Sequence, residues 1–339
     1  MAGEPVNRTG GGRRTIEAQV EHGFTTGPIA HRLIAAAEDE RETFHARDVL
    51  YGGLTDQDRA RSHQALTLEW RAVAGPVTTD MALRRDRFSR FEDATTLRAS
   101  LIGELGSGFA LAGSYGEGIA QPTFFDLYGF FPGNFVGNPA LMPESSRGFE
   151  ASLRFRRPQV QAALTAYRQR LHDEIVDIFD FGTFMSSTEN RTGQSRRSGV
   201  EAEFGWSPSP HLRLSANYAY LHATQPGPAQ TAQVQELRRP RHSGSVAADG
   251  AWKRWSYGAS LAYVGSRLDR REVSPFKVVR LGAYVLAEAR VAYALSPTVA
   301  LFVRGSNLLN ANYREAADYR TEGRGLFVGL SLADRRSSR

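Results

Sequence analysis

The 339-residue chain contains no cysteine, and its only lysines are Lys253 and Lys277. Without cysteine it can form no disulfide bond, no thiolate–zinc site and no cysteine nucleophile. Its net charge of +6 comes from arginines scattered along the whole chain, and no run of five basic residues occurs. Because binding to a phosphate backbone requires clustered cations, the composition argues against nucleic acid as a partner.

Long apolar segments are also missing. The longest aliphatic runs, such as Leu33–Ala37, are far shorter than the ~20 residues that a membrane-spanning helix needs. Residues 1–14 lack the apolar centre of a secretory signal peptide, and we expect them to form a disordered tail, with a polar tail at 334–339. The mean hydropathy of −0.39 leaves a transmembrane β-barrel open, because its strands alternate apolar and polar residues.

Patterns typical of catalytic or metal sites do not occur. The eight histidines show no i,i+4 spacing, and Gly116-Glu-Gly118 lacks the third glycine of a dinucleotide-binding loop. Asp173, Asp177 and Asp180 fall in a long loop, where a solvated surface is favoured over a calcium site. We therefore expect no enzymatic activity, no metal and no cofactor.

The sequence is instead dominated by alternation of apolar and polar residues with a period of two, interrupted by Gly, Pro, Ser and Asp. This pattern predicts an all-β, antiparallel chain of about fifteen strands. Residues 34–44, within the second predicted strand, have a helix-forming composition that competes with the strand pattern. The predicted strands are Thr15–Phe24, Ile29–Ala46, Ser62–Ala74, Val77–Arg90, Thr95–Leu105, Gly108–Ala120, Ser146–Arg157, Gln159–His172, Arg197–Trp206, His211–His222, His242–Trp252, Trp255–Ser266, Leu281–Ala294, Pro297–Ser306 and Gly325–Ala333.

The connections between these strands alternate between short and long. In an antiparallel meander, alternate connections lie at opposite ends of the sheet, so short turns are predicted at one end and long loops at the other. That asymmetry is typical of outer-membrane barrels. The short link 91–94 is the one exception within the long set. The long connections are 47–61, 121–145, 173–196, 223–241, 267–280 and 307–324.

The alternation also assigns residues to faces. In the strand 212–220, leucine, alanine and tyrosine alternate with Arg213, Ser215 and Asn217. A soluble sandwich would bury the apolar face against a second sheet, whereas a barrel in lipid would turn it outward. Strand lengths of about 9–11 residues, sufficient to cross a bilayer at a tilt, favour the barrel. Aromatic residues near the strand ends, which suit interfacial girdles, favour it as well.

Two segments carry a recognisable order of residues. In 114–144, an aromatic–glycine strand leads into a loop with the pattern Pro122, Leu127, Tyr128, Asn138, Pro139, Pro143 and Glu144. In 307–324, the pattern is Asn307, Leu308, Tyr313, Glu315, Tyr319, Gly323 and Arg324. Both resemble segments of the TonB-dependent outer-membrane receptor family, in the same order along the chain. Gln121, which stands before Pro122, departs from the family's pattern by one residue.

The resemblance implies a location and a transport function. The residue pattern of the second segment is similar to that of cobalamin (vitamin B12) receptors, and siderophore receptors share much of the same pattern. Residues 15–333 would then be the C-terminal part of a barrel in the outer membrane of a Gram-negative bacterium. The complete receptor would take up cobalamin or a ferric siderophore, energised through a plug domain by the TonB–ExbB–ExbD complex.

The number of strands implies an incomplete barrel. A full receptor barrel of this family has roughly 22 strands, and about fifteen are visible in this sequence. No plug domain is recognisable before them. We therefore expect the chain to be a barrel fragment that does not support energised uptake by itself.

Aromatic residues at the tips of the long loops are the expected contacts of a ligand. They are Tyr128, Phe130, Phe131, Phe135, Phe179, Phe181 and Phe184. The alternative for these rings is that they pack the loops against the barrel. Outer-membrane lipid is a further expected partner. Two other functions stay open: a plugless porin-like or adhesive outer-membrane barrel, and a soluble all-β binding module.

Overall fold

The computed structural model describes residues 7–49, 52–180, 182–227, 232–271 and 273–333. Residues 1–6 and the predicted polar tail 334–339 lie outside these ranges. No described helix is long and apolar enough to cross a membrane. The elements are β1 Asn7–Thr26, β2 Ile29–Asp48, β3 Gln57–Ala74, β4 Val77–Phe88, β5 Ala94–Gly106, β6 Phe109–Ala120, α1 Phe124–Tyr128, β7 Phe130–Phe131, β8 Phe135–Val136, β9 Glu144–Arg156, β10 Val160–His172, β11 Ile175–Asp180, β12 Met185–Asn190, β13 Gln194–Ser209, β14 Leu212–Pro226, β15 Gln233–Gln235, β16 His242–Trp252, β17 Trp255–Val264, β18 Arg267–Arg270, β19 Val278–Leu281, β20 Tyr284–Ala294, β21 Val299–Ser306 and β22 Gly325–Leu332.

Most of the chain forms one large antiparallel sheet. Its order is β1-β2-β3-β4-β5-β6-β9-β10-β13-β14-β16-β17-β20-β21-β22, and the short β15 also pairs with β14. The strands along this path correspond one for one to those that the alternation predicts, so the all-β antiparallel prediction is confirmed. β1 and β22 occupy the two edges and do not pair with each other in the described part, which leaves the sheet open.

The first strand is longer than predicted, and the expectation of a disordered tail is wrong for residues 7–14. β1 pairs with β2 along its whole length. Within this stretch Arg13 lies opposite Glu42, and its guanidinium contacts that carboxylate at 2.6 Å. Glycines 10–12 have no side chains that could alternate, so the strand gives no period-two signal there.

One face of the large sheet is apolar and exposed. Leu261, Val291 and Val303 lie on this face in three neighbouring strands and are 42–46% exposed. The chain exposes 22430 Å² of surface, whereas a compact soluble monomer of this mass would expose about 14,000 Å². No second sheet covers the face within the described ranges. A soluble sandwich would bury it, so the exposed apolar face favours lipid as its surroundings.

The two ends of the sheet differ as the sequence predicts. At one end, tight turns such as those at Gly27 and Gly75 join the strands, with φ of +57° and +55°, a conformation that glycine adopts without steric cost. The opposite end, called the loop end below, carries the long connections. Some of these fold further, because 121–143 contains α1, β7 and β8, and 173–193 contains β11 and β12.

Adjacent residues of β17 test which face meets lipid. We expect Leu261→Arg, on the apolar face, to destabilise the folded barrel by about 2–4 kcal/mol, because lipid cannot hydrate the charge. Ser260→Arg, on the polar face, should cost less than about 1 kcal/mol. Urea unfolding in lipid vesicles, followed by tryptophan fluorescence, measures both changes. Equal destabilisation by the two substitutions would contradict the assignment of the faces.

Candidate functional site

The helix α1 shapes the loop that follows β6. Thr123 caps the helix, since its hydroxyl accepts a hydrogen bond from Asp126 N at 3.1 Å and the Asp126 carboxylate accepts one from Thr123 N at 2.8 Å. This capping box fixes where the helix begins. Pro122 and Leu127 on either side of the cap are fully buried. These two motif residues therefore form the base of the loop rather than its surface.

Tyr128 attaches this loop to the large sheet. The guanidinium carbons of Arg59 and Arg90 lie 4.6 and 5.1 Å from the centre of its ring. The side chain of Gln57 donates a hydrogen bond to the Tyr128 carbonyl at 2.7 Å. Tyr128, which the sequence suggests as a ligand contact, is thus half-buried between cations of the protein itself.

Arg61 makes a second attachment between the large sheet and the loop that follows β6. Its Nε contacts Glu42 at 2.5 Å, and its Nη1 donates to the Pro122 carbonyl at 2.6 Å. The guanidinium also lies 4.7 Å from the centre of the Phe124 ring. The Arg61 side chain is only 10% exposed, so one charged group links strands β2 and β3 to the start of the loop.

Loops 121–143 and 173–193 are joined into one unit, called the aromatic loops below. Their strands form a four-stranded sheet in the order β11-β12-β8-β7. The Asn138 amide donates to the Thr188 carbonyl at 2.9 Å, and the Glu144 carboxylate accepts from Ile175 N at 2.6 Å. The motif residues Asn138 and Glu144 therefore hold the two loops together.

The aromatic loops bring most of the predicted ligand contacts to one surface. Phe131, Phe179 and Phe184 are 47%, 47% and 70% exposed, whereas Phe130 and Phe135 are half-buried. The rings of Phe179 and Phe184 meet edge to face at 6.2 Å. Phe181 lies outside the described residues. The structure thus groups these side chains in the aromatic loops.

Phe125 belongs to the same surface and is absent from the sequence-based set. Its ring stacks on Phe135 at 4.6 Å and lies 5.9 Å from Phe131. It is 45% exposed. The period-two pattern of the sequence misses Phe125, because it does not predict helix α1, in which Phe125 and the buried Leu127 point in different directions.

A second cluster at the loop end is organised by Asp269, in the β18–β19 hairpin. Its carboxylate is 0% exposed and accepts hydrogen bonds from Arg238 Nε at 2.7 Å, Ala317 N at 2.6 Å and Arg270 N at 2.9 Å. Burial alone would raise the pKa of Asp269, but these hydrogen bonds outweigh it and hold the pKa below the ordinary aspartate value. The donors come from three loops, so one carboxylate sets their relative positions.

Loop 307–324 is folded largely by members of its own motif. Asn307 is buried, and its amide donates to the Ala311 carbonyl at 3.0 Å while its carbonyl oxygen accepts from Ala311 N at 2.8 Å. The Tyr313 ring packs on Tyr284 with centroids 4.5 Å apart. The remaining members of the pattern are exposed residues: Leu308, Glu315, Tyr319, Gly323 and Arg324.

The other motif prolines also have structural roles. The Pro139 carbonyl accepts a hydrogen bond from Arg90 Nη2 at 2.7 Å, and Pro143 is half-buried just before β9. Both lie at the base of the aromatic loops. The pattern by which the sequence resembles its family is therefore mainly a pattern of loop-holding residues.

Ion pairs connect the two clusters. Glu174 contacts Arg191 at 3.1 Å and Arg197 at 3.5 Å, and Arg197 Nε lies 3.0 Å from Glu236. The carboxylates of Glu174 and Glu236 are 15% and 6% exposed. Removing one partner of such a shielded pair leaves an uncompensated charge, which is more costly than losing a surface pair. The network therefore restrains the junction of β13 and β14 at the loop end.

In the acidic stretch of loop 173–193, the carboxylate of Asp180 forms hydrogen bonds within its own turn. The Asp180 carboxylate accepts hydrogen bonds from Gly182 N at 2.7 Å and Thr183 Oγ1 at 2.9 Å. The hydrogen bond from Gly182, followed by that from Thr183, lowers the pKa of Asp180. Within the described ranges, no three His, Asp or Glu side chains are grouped closely enough to hold a metal ion.

Replacing Asp269 should release the three loops that it joins. In Asp269→Asn, the new amide hydrogens face donors, and a buried charged acceptor is lost, at a cost of about 1–3 kcal/mol or more. We expect trypsin to cleave at Arg314 and Arg320 at least about tenfold faster than in the wild type. Asp318→Asn, which removes a more exposed ion pair with Arg271 at 2.8 Å, is the matched control. Equal cleavage rates in wild type and Asp269→Asn would contradict the role of Asp269.

Acid should have a similar effect. Because the pKa of Asp269 is lower in the folded protein than in the unfolded chain, its stabilising effect is complete above about pH 4 and disappears as the pH falls through the lower folded value. Hydrogen exchange of loop 307–324, corrected for intrinsic rates, should therefore accelerate as the pH falls below about 4. Asp269→Asn should show no such step, and a step of equal size in the variant would contradict the assignment.

Comparison with known proteins identifies the fold. The family model described as TonB dependent receptor-like, beta-barrel matches residues 7–308. The siderophore receptor PirA from Acinetobacter baumannii superposes with a TM-score of 0.77 at 19% identity, over 96% of this chain and 55% of that chain. A mutant of the ferric enterobactin receptor PfeA from Pseudomonas aeruginosa, in complex with enterobactin, gives 0.77 at 17%, over 96% and 54%. The ferric citrate transporter FecA, unliganded, gives 0.74 at 16%, over 97% and 56%.

The chain spans a little more than half the length of each of these receptors. The region matched by the family model includes every strand of the large sheet from β1 to β21. It also includes the aromatic loops and the Asp269 hairpin. The chain belongs to the TonB-dependent receptor family, whose members are receptors and transporters rather than enzymes.

Proposed function

We propose that this chain is the C-terminal barrel portion of an outer-membrane receptor that takes up a ferric siderophore. The observation that carries the proposal is the layer of organised loops at one end of a sheet whose outward face is apolar. An exposed apolar face suits lipid, and a rigid, aromatic, charged loop layer suits capture of a solute from outside. The three solved receptors described above bind siderophores or ferric citrate by name, which supports the same class of ligand here.

The loop end offers two chemically different sides to such a ligand. The aromatic loops, 121–143 and 173–193, contain six carboxylates and one arginine together with the exposed phenylalanines. Loops 223–241 and 267–280, called the basic loops, contain eight Lys and Arg residues and three carboxylates. A ferric siderophore that carries both aromatic rings and negative charge would find ring contacts on one side and cations on the other.

Cobalamin is the second candidate ligand, because the pattern Tyr313, Glu315, Tyr319, Gly323 and Arg324 is similar to that of cobalamin receptors. Tyr313, however, packs on Tyr284, and the Glu315 backbone carbonyl accepts a hydrogen bond from Arg267 at 3.0 Å. Part of the pattern therefore supports the loop and carries little information about the ligand. Cyanocobalamin also carries no net negative charge, which the basic loops would favour in a ligand. These points place the siderophore first.

Transport in the complete receptor would follow from capture at the loops. The ligand would bind to the exposed rings and cations, and the TonB–ExbB–ExbD complex would act through a plug domain to open a path into the periplasm. This chain would contribute the loop surface and the lipid-facing barrel wall. Its open edges, β1 and β22, would pair with further barrel strands.

The ligand-binding proposal is tested on the exposed rings. We expect Phe131→Ala and Phe184→Ala each to weaken binding of ferric enterobactin to the detergent-purified chain by about tenfold, because each ring loses apolar contact area. Phe109→Ala, at the short-turn end and 41% exposed, is the matched control and should change the dissociation constant less than about twofold. Isothermal titration calorimetry measures all three variants.

The same titration separates the candidate functions. Ferric enterobactin, ferric citrate and cyanocobalamin are each added to the wild-type chain. Binding of either iron chelate with loss in the two loop variants supports the proposal. Binding of cyanocobalamin alone would replace it with the second candidate. If none binds and the chain conducts ions passively in planar bilayers, a porin-like barrel is the better description.

A further inference from the structure

The β18–β19 hairpin extends the wall of the large sheet beyond its last rung at the loop end. Two residues separate the end of β17 from the start of β18, and two residues separate the end of β19 from the start of β20. The outermost apolar pair of the sheet beneath it is Tyr263 and Val285, which lie opposite each other and are 41% and 36% exposed. The hairpin therefore stands directly above the apolar face that we assign to lipid.

One face of the hairpin is packed against the rest of the loop end. Arg267 and Asp269 alternate along β18 and are 6% and 0% exposed. Arg267 lies over the Tyr284 ring at 5.6 Å and donates to the Arg314 carbonyl at 2.9 Å. Tyr284 shares the polar face of β20 with Glu288, because the two are four residues apart in a strand. The packed side of the hairpin is thus turned toward the polar side of the sheet.

The opposite face of the hairpin is exposed and cationic. Arg270 and Arg280 alternate with the packed residues, and both side chains are exposed. Lys277 at the tip is exposed as well. None of these three cations forms an ion pair with a described residue, whereas their neighbour Arg271 contacts Asp318 at 2.8 Å.

Large apolar side chains are interleaved with these cations. Val273, Phe276 and Val278 are 51%, 71% and 50% exposed. Loops that are surrounded by water rarely expose aromatic and aliphatic side chains next to cations, unless a partner surface covers them. An anionic headgroup attached to an apolar body satisfies both features, since phosphate pairs with arginine and lysine while the apolar side chains leave water.

We propose that this face, made of Arg270, Phe276, Lys277, Val278 and Arg280, binds the phosphate groups of an anionic lipid headgroup in the outer leaflet. The inference rests on the proposed outer-membrane location. Its position above Tyr263 and on the side away from the packed, polar face favours a lipid over a solute that enters the receptor. These three cations are therefore assigned to lipid, and the other five cations of the basic loops remain for the proposed siderophore. The hairpin would fix the height of the barrel wall relative to the lipid phosphates.

The test uses the full chain in dodecyl maltoside, titrated with bis-phosphorylated lipid A and followed by native mass spectrometry. We expect the triple variant R270Q/K277Q/R280Q to bind lipid A at least about tenfold more weakly, since each cation near an anionic surface contributes about fivefold. Phe276→Ala should weaken binding about threefold through its lost apolar contact. Raising the salt concentration should weaken wild-type binding more than that of the triple variant.

The matched control removes three cations elsewhere on the protein. R8Q/R314Q/R320Q changes the net charge by the same amount at exposed positions outside the hairpin, and it should bind lipid A within twofold of wild type. Unchanged binding in the hairpin variant, equal weakening in both variants, or no lipid A binding by wild type would each overturn the proposal. If R270Q/K277Q/R280Q lost ferric enterobactin binding but retained lipid A binding, the proposal would also be overturned. Selective loss of lipid A binding supports it even if no siderophore binds, in which case the proposed ligand is wrong and the lipid contact stands.

Discussion

A backbone that crosses lipid must satisfy every N–H and C=O group within the protein, because the bilayer core offers no water. Between its two open edges, the large sheet meets this constraint by continuous antiparallel pairing from β1 to β22. Within the described strands, the register is irregular only at Glu104–Gly106 and Trp206–Ser209, near the short turns. The exposed apolar face, the alternating polar face and the two unlike ends all follow from that pairing. Pairing and the lipid environment restrict which side chains the strands can carry. The loops, which lie outside the lipid, can therefore vary more in their chemistry.

Alternation made the wall predictable from the sequence. Even residues 34–44, with their helix-forming composition, are extended, because Ala35 lies opposite Val20 on one side and Leu68 on the other. Tertiary pairing on both sides outweighs a local preference of a few tenths of a kcal/mol per residue. The same method failed at residues 7–14, where three glycines carry no pattern and only the partner strand shows that β1 continues.

The loop end was much less predictable, because its contacts join distant parts of the chain. The parallel contact between β8 and β12 pairs Phe135 with Ser186, although three other strands separate them in the sequence. Asp269 gave no signal at all, since a single aspartate in a polar loop looks like any solvated residue until Arg238 and Ala317 are seen beside it. The family motifs were informative in a different way than expected. They marked residues that hold loops in place, whereas exposed side chains such as Phe125 and Phe184 depend on the geometry of the whole layer.

The nature of the bonds to Asp269 has a consequence for how such a receptor could diversify. Two of its donors, Ala317 N and Arg270 N, are backbone groups that any residue except proline would supply. Many substitutions in loops 267–280 and 307–324 would therefore leave the anchor intact while changing the surface that meets the environment. After gene duplication, point mutations at these loop tips could therefore change the contacts with a ligand or with lipid without unfolding the loop end. Asp269 is thus constrained by its own side chain, whereas residues 270 and 317 contribute only backbone groups to the anchor and leave their side chains free for other contacts.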